Sequence, residues 1–253
     1  FKKAGSKVAA IAGDLLDAET MYAARALLAG AGSTLLEGRQ TGLDYDVSSL
    51  SAVRFNTPIA ELENADVILL VGSNVRWEAP LVNTRLRKAV RRGAKLFAIG
   101  PQVDLTYKVN WLGDDLSLLG KLPKEAADAI RGAERPVMIV GPGALGAGAL
   151  GAALAASGPF VKAGWNGFNV LHTAAARMAG LLLGYAQKGG IADIEKAGPE
   201  LVILLGADEV PAANFSRAFK VYIGHHGDRG AQSADLVLPG ASYAEKHLSL
   251  IHI

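Results

Sequence analysis

The chain of 253 residues contains no cysteine. Disulfide bonds, thiolate nucleophiles, zinc ribbons and cysteine-ligated iron–sulfur clusters are therefore excluded within it. We expect the chain to hold no redox cofactor, and any metal chemistry in which it takes part must use centres held elsewhere. The chain begins at Phe1 rather than at a methionine, from which we expect that further sequence precedes it.

Long apolar runs and an excess of one charge are also missing. No apolar run approaches the roughly 18 residues that a membrane-spanning helix needs. The 26 basic and 24 acidic side chains leave a net charge of +2, which gives no general attraction to nucleic acid or to anionic lipid. We therefore expect no nucleic-acid partner and no direct insertion into a membrane.

Short, almost continuously apolar segments alternate with segments of helical length. This pattern is typical of parallel strands that helices cover on both faces. Strands are predicted at residues 7–12, 66–71, 95–99, 137–140, 201–205 and 220–223. Helices are predicted at residues 17–28, 80–90 and 174–183. The sequence thus predicts an α/β fold with mainly parallel sheets.

The order of these segments repeats along the chain. VAAIAG, ADVILLVGSN and AKLFAIG in the first half are followed, in the same order, by PVMIVGPG, ELVILLGADE and FKVYIGHHG in the second. We predict two Rossmann-like, doubly wound units, residues 1–131 and 132–246, which meet within the charged stretch 121–135. The last seven residues, 247–253, form an atypical tail.

A G-x-G-x-x-G motif spans residues 141–146, directly after a predicted strand. In a dinucleotide site such glycines let a pyrophosphate approach the backbone amides at a helix N-terminus. The acidic residue that would bind the ribose is missing after the next candidate strand, residues 160–164, which leads into Trp165 and Asn166. Close helix packing explains the glycines equally well, so both interpretations stay open.

Small and polar residues follow two of the apolar strands, at positions where open α/β sheets place ligands. They are Gly72, Ser73 and Asn74 after one strand, and Gly206 and Asp208 after the other. We predict that they line one shared crevice, shallow or filled by water, without an ordered cofactor. Alternatively, the glycines only turn the chain, while Asn74 and Asp208 cap the segments after them.

No combination of residues predicts catalysis. A metal site needs ligands that converge, whereas the adjacent His225 and His226 would point to opposite faces of an extended segment. Neither a nucleophile elbow nor a zinc-binding helix motif is present. We therefore predict no catalytic residue and no metal ligand in the chain.

Two segments carry a resemblance to a known family. One is ADVILLVGSN at residues 65–74, followed by Glu78 and Pro80, and the other is ADLVLPGASYAEK at residues 234–246. Both resemble the molybdopterin oxidoreductase family, in which a strand ending in G-x-N precedes a glutamate or histidine and a proline, and A-D-x-V-L-P precedes a glutamate. Within that family the chain is similar, up to Lys246, to the C-terminal domain of the large iron–sulfur subunits of bacterial complex I.

The resemblance implies a function that the residues alone do not specify. It implies a cofactor-free structural domain of NADH-quinone oxidoreductase, on the cytoplasmic side of the bacterial inner membrane, with other peripheral-arm subunits of complex I as partners. Iron–sulfur clusters would lie in the region upstream of Phe1. After Lys246 the family continues with a glycine, a threonine and an E-G-R motif, from which the tail 247–253 departs.

Two alternatives stay open at this point. One is a fragment of an active molybdopterin-dependent oxidoreductase, in which Asn74 and Asp208 hold a pterin nucleotide. The other is a stand-alone nucleotide-binding module that uses residues 141–146. In the leading interpretation, enzyme activity belongs to the assembled complex and this chain alone is inactive.

Overall fold

A computed structural model of the chain describes residues 1–41 and 45–246. The strands are β1 (Val8–Ala12), β2 (Leu35–Glu37), β3 (Val67–Val71), β4 (Lys95–Ile99), β5 (Asn110–Gly113), β6 (Pro136–Val140), β7 (Val161–Lys162), β8 (Trp165–Asn166), β9 (Phe168–Val170), β10 (Leu201–Leu205), β11 (Phe219–Gly224) and β12 (Leu236–Pro239). The helices are α1 (Ala18–Gly30), α2 (Val75–Glu78), α3 (Pro80–Arg91), α4 (Lys124–Gly132), α5 (Pro142–Gly146), α6 (Leu150–Ala155), α7 (Arg177–Leu182), α8 (Gly190–Lys196) and α9 (Arg229–Gln232). None of the described helices has the length and apolar character needed to span a bilayer. The predicted tail lies outside the described residues.

The chain divides into two compact units, one of which is inserted in the sequence of the other. Residues 47–173 form the inserted unit, and residues 1–46 together with 174–253 form the split unit. Each unit has its own sheet, so each builds its own core.

The sheet of the split unit has five parallel strands in the order β12-β11-β10-β1-β2. Its central pair runs from Val8 opposite Leu201 to Ala12 opposite Leu205. The chain first builds outward from β1 to β2 and later continues on the other side of β1 with β10. The topological switch point, where such sheets place ligands, therefore lies between β1 and β10.

The sheet of the inserted unit also has five parallel strands, in the order β5-β4-β3-β6-β9. Val67 lies opposite Pro136 and Val71 opposite Val140. All residues of β3 and β6 are buried, as expected of strands that are covered on both faces. The switch point of this unit lies between β3 and β6.

The predicted fold class is confirmed, because both five-stranded sheets are parallel and doubly wound. The predicted division into residues 1–131 and 132–246 differs from the structure and is corrected by the strand pairing. β1 pairs with β10 and β3 pairs with β6, so both central pairs cross the predicted boundary. The repeated order of apolar segments is the same for consecutive and for inserted units, and only the strand pairing distinguishes them.

Most predicted strands occur close to their predicted bounds. β4 and β10 match residues 95–99 and 201–205. The predictions for β1, β3 and β6 differ by one residue at one end, and the prediction for β11 differs by one residue at both ends. Of the candidate strand 160–164 only Val161–Lys162 forms a strand, β7, which follows a 3-10 turn at Gly158–Phe160 and pairs antiparallel with β8 in a two-stranded ribbon. The short strands β2, β5, β9 and β12 were not predicted.

Asn169 on β9 ties the start of the inserted unit to its sheet. Its side chain is fully buried, and Oδ1 accepts hydrogen bonds from the backbone amides of Asn56 (2.8 Å) and Thr57 (2.7 Å). Its Nδ2 donates to Thr57 Oγ1 (3.0 Å) and to the carbonyl oxygens of Met138 and Gly167. Each polar atom of this buried side chain is therefore satisfied.

We predict that Asn169→Ala lowers the free energy of unfolding by about 2–4 kcal/mol, because it leaves buried amides and carbonyls without partners. Asn64→Ala removes the same side chain from an exposed position at the end of a 3-10 helix, and we expect a change within about 0.5 kcal/mol. Urea unfolding measures the free energy of unfolding of both variants. Equal effects of the two substitutions would contradict the role of Asn169.

Candidate functional site

Backbone contacts between glycines close the switch point of the inserted unit. Gly72 follows β3, Gly141 follows β6, and the amide of Gly143 donates to the carbonyl oxygen of Gly72 (3.0 Å). A Cβ atom added at Gly141 would lie 2.3 Å from Cβ of Ser73, and one at Gly143 would lie 2.8 Å from the oxygen of Gly72. The two turns touch so closely that no side chain fits between them.

This contact explains two glycines of the G-x-G-x-x-G motif. Gly141 and Gly143 accommodate the neighbouring turn, and the amide of Gly143 is already used by Gly72. Gly146 has open space around it, and α5, which lies within the motif, is only five residues long. The geometry therefore supports the packing interpretation of residues 141–146, because an amide that the pyrophosphate would need is engaged.

A similar contact closes the switch point of the split unit. A Cβ atom added at Gly13, which follows β1, would lie 1.8 Å from the carbonyl oxygen of Gly206, which follows β10.

Asp208, two residues after Gly206, accepts hydrogen bonds from the Tyr222 hydroxyl (3.1 Å) and from the amide of Gly230 (3.1 Å). Burial and the Asp208 carboxylate raise the pKa of Tyr222 to about 12, so the phenol keeps its proton. Asp208 thus holds the start of α9 against β11.

The five predicted crevice residues belong to different units. Gly72, Ser73 and Asn74 lie in the inserted unit, whereas Gly206 and Asp208 lie in the split unit. Within each unit the predicted residues are together at the carboxyl ends of the strands. That both groups share one crevice stays a prediction.

Gly72, Ser73 and Asn74 line a pocket of about 280 Å³ in the inserted unit. It lies at the carboxyl ends of β3, β4 and β5, beside the closed switch point. The other residues that line it are Glu78, Ile99, Gly100, Pro101, Val103, Trp111, Asp114, Leu116 and Gly143. The structure thus provides a cavity at the first group of predicted residues.

Glu78 holds the turn that forms one wall of this pocket. Its Oε2 accepts hydrogen bonds from Ser73 Oγ (2.6 Å) and from the amide of Asn74 (3.0 Å). The Oδ1 of Asn74 is buried and has no hydrogen-bond partner among the described residues. A buried acceptor without a partner costs about 1–3 kcal/mol, so a group that donates a hydrogen bond to Asn74 would stabilise the turn.

A buried ion pair after β2 was missed by the sequence analysis. The side chains of Glu37 and Arg39 are fully buried and joined by two hydrogen bonds of 2.8 Å, from Nε to Oε1 and from Nη2 to Oε2. The amides of Gly38 and Gln187 also donate to Glu37 (both 2.9 Å). All partners of this carboxylate are within the split unit, so it holds the loop after β2 against the segment around Gln187. No sequence signal could have found this pair, because the position of a charged residue in the sequence does not reveal its burial.

The described residues contain no group of three or more histidine, aspartate or glutamate side chains arranged to hold a metal ion. His225 and His226 are exposed, and their rings meet edge to face with centroids 4.6 Å apart.

The comparison with known families decides the assignment of the chain. The sequence profile described as molybdopterin oxidoreductase matches residues 1–250. The chain belongs to the molybdopterin oxidoreductase family. It is 38% identical over 250 residues to the G subunit of NADH-quinone oxidoreductase from Rickettsia typhi, which is 95% of this chain and 36% of that protein. It is 39% identical over 257 residues to the mitochondrial NADH-ubiquinone oxidoreductase 78 kDa subunit of Neurospora crassa, which is 96% of this chain and 34% of that protein.

This member of the family spans about a third of the length of the curated relatives that it matches. Among solved structures, it is similar to a chain of the formyltransferase/hydrolase complex from Methylorubrum extorquens, crystallised in complex with methylofuran. The TM-score is 0.58 at 20% sequence identity, over 93% of this chain and 80% of that chain. At this identity the likeness shows the fold alone.

The family name implies a pterin cofactor, and the residues of the inserted unit do not fit a pterin nucleotide. A nucleotide brings phosphate, which needs free amides or cationic side chains. Here the amide of Gly143 is engaged, and the pocket is lined by the carboxylates of Glu78 and Asp114 without a lysine or arginine among the lining residues. Like charges would repel a phosphate from this pocket.

We predict that Gly141→Ala lowers the free energy of unfolding by about 1–3 kcal/mol, because the new methyl group overlaps Ser73 and Gly72. Gly146→Ala, in the same motif, meets open space and is expected to be neutral or to stabilise by about 0.4–1 kcal/mol.

Urea unfolding of both variants measures the two free energies of unfolding. Titration of the chain with NADH or GDP tests separately whether it binds a nucleotide. Saturable nucleotide binding that Gly143→Val abolishes would contradict the packing interpretation and favour a nucleotide site.

Proposed function

We propose that the chain is a cofactor-free structural domain of the large iron–sulfur subunit of NADH-quinone oxidoreductase. In this proposal the parent complex passes electrons from NADH toward quinone through iron–sulfur clusters held upstream in the subunit. The chain is a structural part of the peripheral arm, on the cytoplasmic side of the bacterial inner membrane, and has no enzyme activity alone.

The observation that carries the proposal is the extent of the sequence identity. The identity of 38% to the G subunit from Rickettsia typhi extends over 95% of the chain, so it includes both units and not only a short motif. A match of this extent to a mitochondrial 78 kDa subunit as well supports a role that both complexes share.

The chemistry of the chain supports a domain without a redox centre. The chain has no cysteine to ligate an iron–sulfur cluster. At each switch point, where open α/β sheets generally bind ligands, the two turns approach each other closely at a glycine and narrow the crevice. The alternatives of an active molybdopterin-dependent fragment and of a nucleotide-binding module both need that crevice, so these contacts disfavour them.

The edge strand β12 supports a role in a larger assembly. Leu236, Val237 and Leu238 expose 43%, 51% and 41% of their surface, although strands of a parallel sheet are normally covered on both faces. An apolar edge strand offers unpaired backbone groups and side chains to another polypeptide. We therefore propose that another segment of the peripheral arm covers β12 in the assembled complex.

The test is a substitution in the full-length subunit within its bacterial host. Val237→Lys places a charge on the apolar edge and should reduce the amount of assembled complex I and the NADH oxidation of isolated membranes severalfold, because a charge buried without a partner is costly. Val161→Lys is the matched control. Val161 lies on β7 in the inserted unit and is also 51% exposed, but it belongs to a two-stranded ribbon rather than to the edge of a large sheet.

Native gel electrophoresis and NADH oxidation give the two readouts. We expect Val161→Lys to assemble as the unsubstituted subunit does. Normal assembly with Val237→Lys would contradict the coverage of β12, and NADH oxidation by the purified chain alone would contradict the structural role.

A further inference from the structure

We propose that the pocket of the inserted unit binds a small, planar organic cation that carries N–H donors, of the aryl amidine class. The inference is independent of the role in complex I, because it depends only on the walls of this pocket.

The apolar walls of the pocket suit a flat ring. Ile99 and Val103 come from β4 and the loop after it, and Trp111 on β5 presents an indole that is only partly buried. Pockets lined by apolar and aromatic side chains gain affinity by removing ligand surface from water. The volume of about 280 Å³ is slightly below the usual range for small-molecule sites, so one ring with a small substituent is the expected size.

The polar groups of the pocket accept hydrogen bonds but offer few donors. Oε2 of Glu78 is used by Ser73 and Asn74, whereas its Oε1 accepts no hydrogen bond from the described residues. The Oδ1 of Asn74 also lacks a partner there. Asp114 adds an exposed carboxylate at the same pocket. A ligand that matches these groups must donate hydrogen bonds rather than accept them.

The negative charge of the pocket favours hydrogen-bond donors that carry a positive charge. Two carboxylates line the pocket, and no lysine or arginine is among the residues that line it. The nearby Arg76 is paired with Asp104 (2.7 Å), so it does not offset the charge at the pocket. An amidinium group is planar, positively charged and able to donate to a carboxylate with two parallel N–H groups, as arginine does.

The experiment uses three probes of the same shape and different charge. Benzamidine is cationic, benzamide is neutral and benzoate is anionic. Each is titrated into the full 253-residue chain labelled with ¹⁵N, and the indole N–H signals of the three tryptophans are followed. Trp111→Phe assigns the signal of the pocket tryptophan, and the signal of Trp165, whose indole donates to the carbonyl of Pro136 (2.8 Å), serves as the internal reference.

We expect benzamidine to shift the Trp111 signal saturably while the Trp165 signal stays in place. Benzamide should bind about tenfold more weakly, because the charge-assisted hydrogen bond is lost, and benzoate should not bind.

Substitutions at the two carboxylates locate the cation. Asp114→Asn should weaken benzamidine binding about threefold, since this carboxylate is exposed. Glu78→Gln keeps an oxygen to accept from Ser73 and Asn74 and should weaken binding about tenfold. Asp128→Asn removes the same charge from α4, where Asp128 forms an exposed ion pair with Arg131, and should leave the affinity unchanged.

Several results would overturn the proposal. They are equal binding of benzamidine and benzamide, no loss of affinity in either carboxylate variant, an equal loss in Asp128→Asn, or a shift of the Trp111 signal by inorganic pyrophosphate. All of these measurements use the isolated chain, so a negative binding result does not bear on the proposed role in assembly. Equally, the assembly results for Val237→Lys and Val161→Lys do not bear on ligand binding by the pocket.

Discussion

The glycine contacts at the two switch points are the constraint on which the rest of the structure depends. In each sheet the central strands are adjacent and buried, so the turns that leave them emerge side by side at one edge. In the split unit a Cβ atom at Gly13 would overlap the carbonyl oxygen of Gly206, and in the inserted unit Cβ atoms at Gly72 and Gly141 would overlap Ala144 and Ser73. Glycine makes this approach possible because it has no side chain.

The glycine contacts at the switch points bear on which molecules this fold can bind. Doubly wound sheets occur in many proteins that bind nucleotides or pterins, but the fold alone does not determine whether a chain binds such a ligand. Two carboxylates after the strands make internal hydrogen bonds: Asp208 accepts from Tyr222 and Gly230, and Glu78 accepts from Ser73 and Asn74. The Oδ1 of Asn74, in contrast, has no hydrogen-bond partner among the described residues. The exposed edge strand β12 and the acidic pocket beside Trp111, which residues 72–74 also line, are accessible to other molecules.

The sequence predicted the parts of the fold that depend on local pattern and missed those that depend on pairing. β4 and β10 were predicted with correct bounds because each is a mainly apolar run that is followed by a glycine. The insertion of one unit into the other was not predictable, since a strand pattern does not say which strand becomes its neighbour. β5 is short and contains asparagine and glycine, so it gave no strand signal, and its pairing with β4 is what brings Trp111 to the pocket. Gly72, Ser73 and Asn74 were found because they follow a strong strand, whereas the buried pair of Glu37 and Arg39 carries no signal apart from its burial.

The most direct test of the account is the cofactor content of the chain. The chain is produced in cells that make molybdopterin and are supplied with molybdate, purified and then denatured, and the released material is analysed for molybdenum by mass spectrometry and for pterin by fluorescence after oxidation. If the glycine contacts close both switch points, molybdenum and pterin remain at the level of a preparation from cells without the chain. Pterin and molybdenum in a one-to-one ratio with the chain would contradict the account.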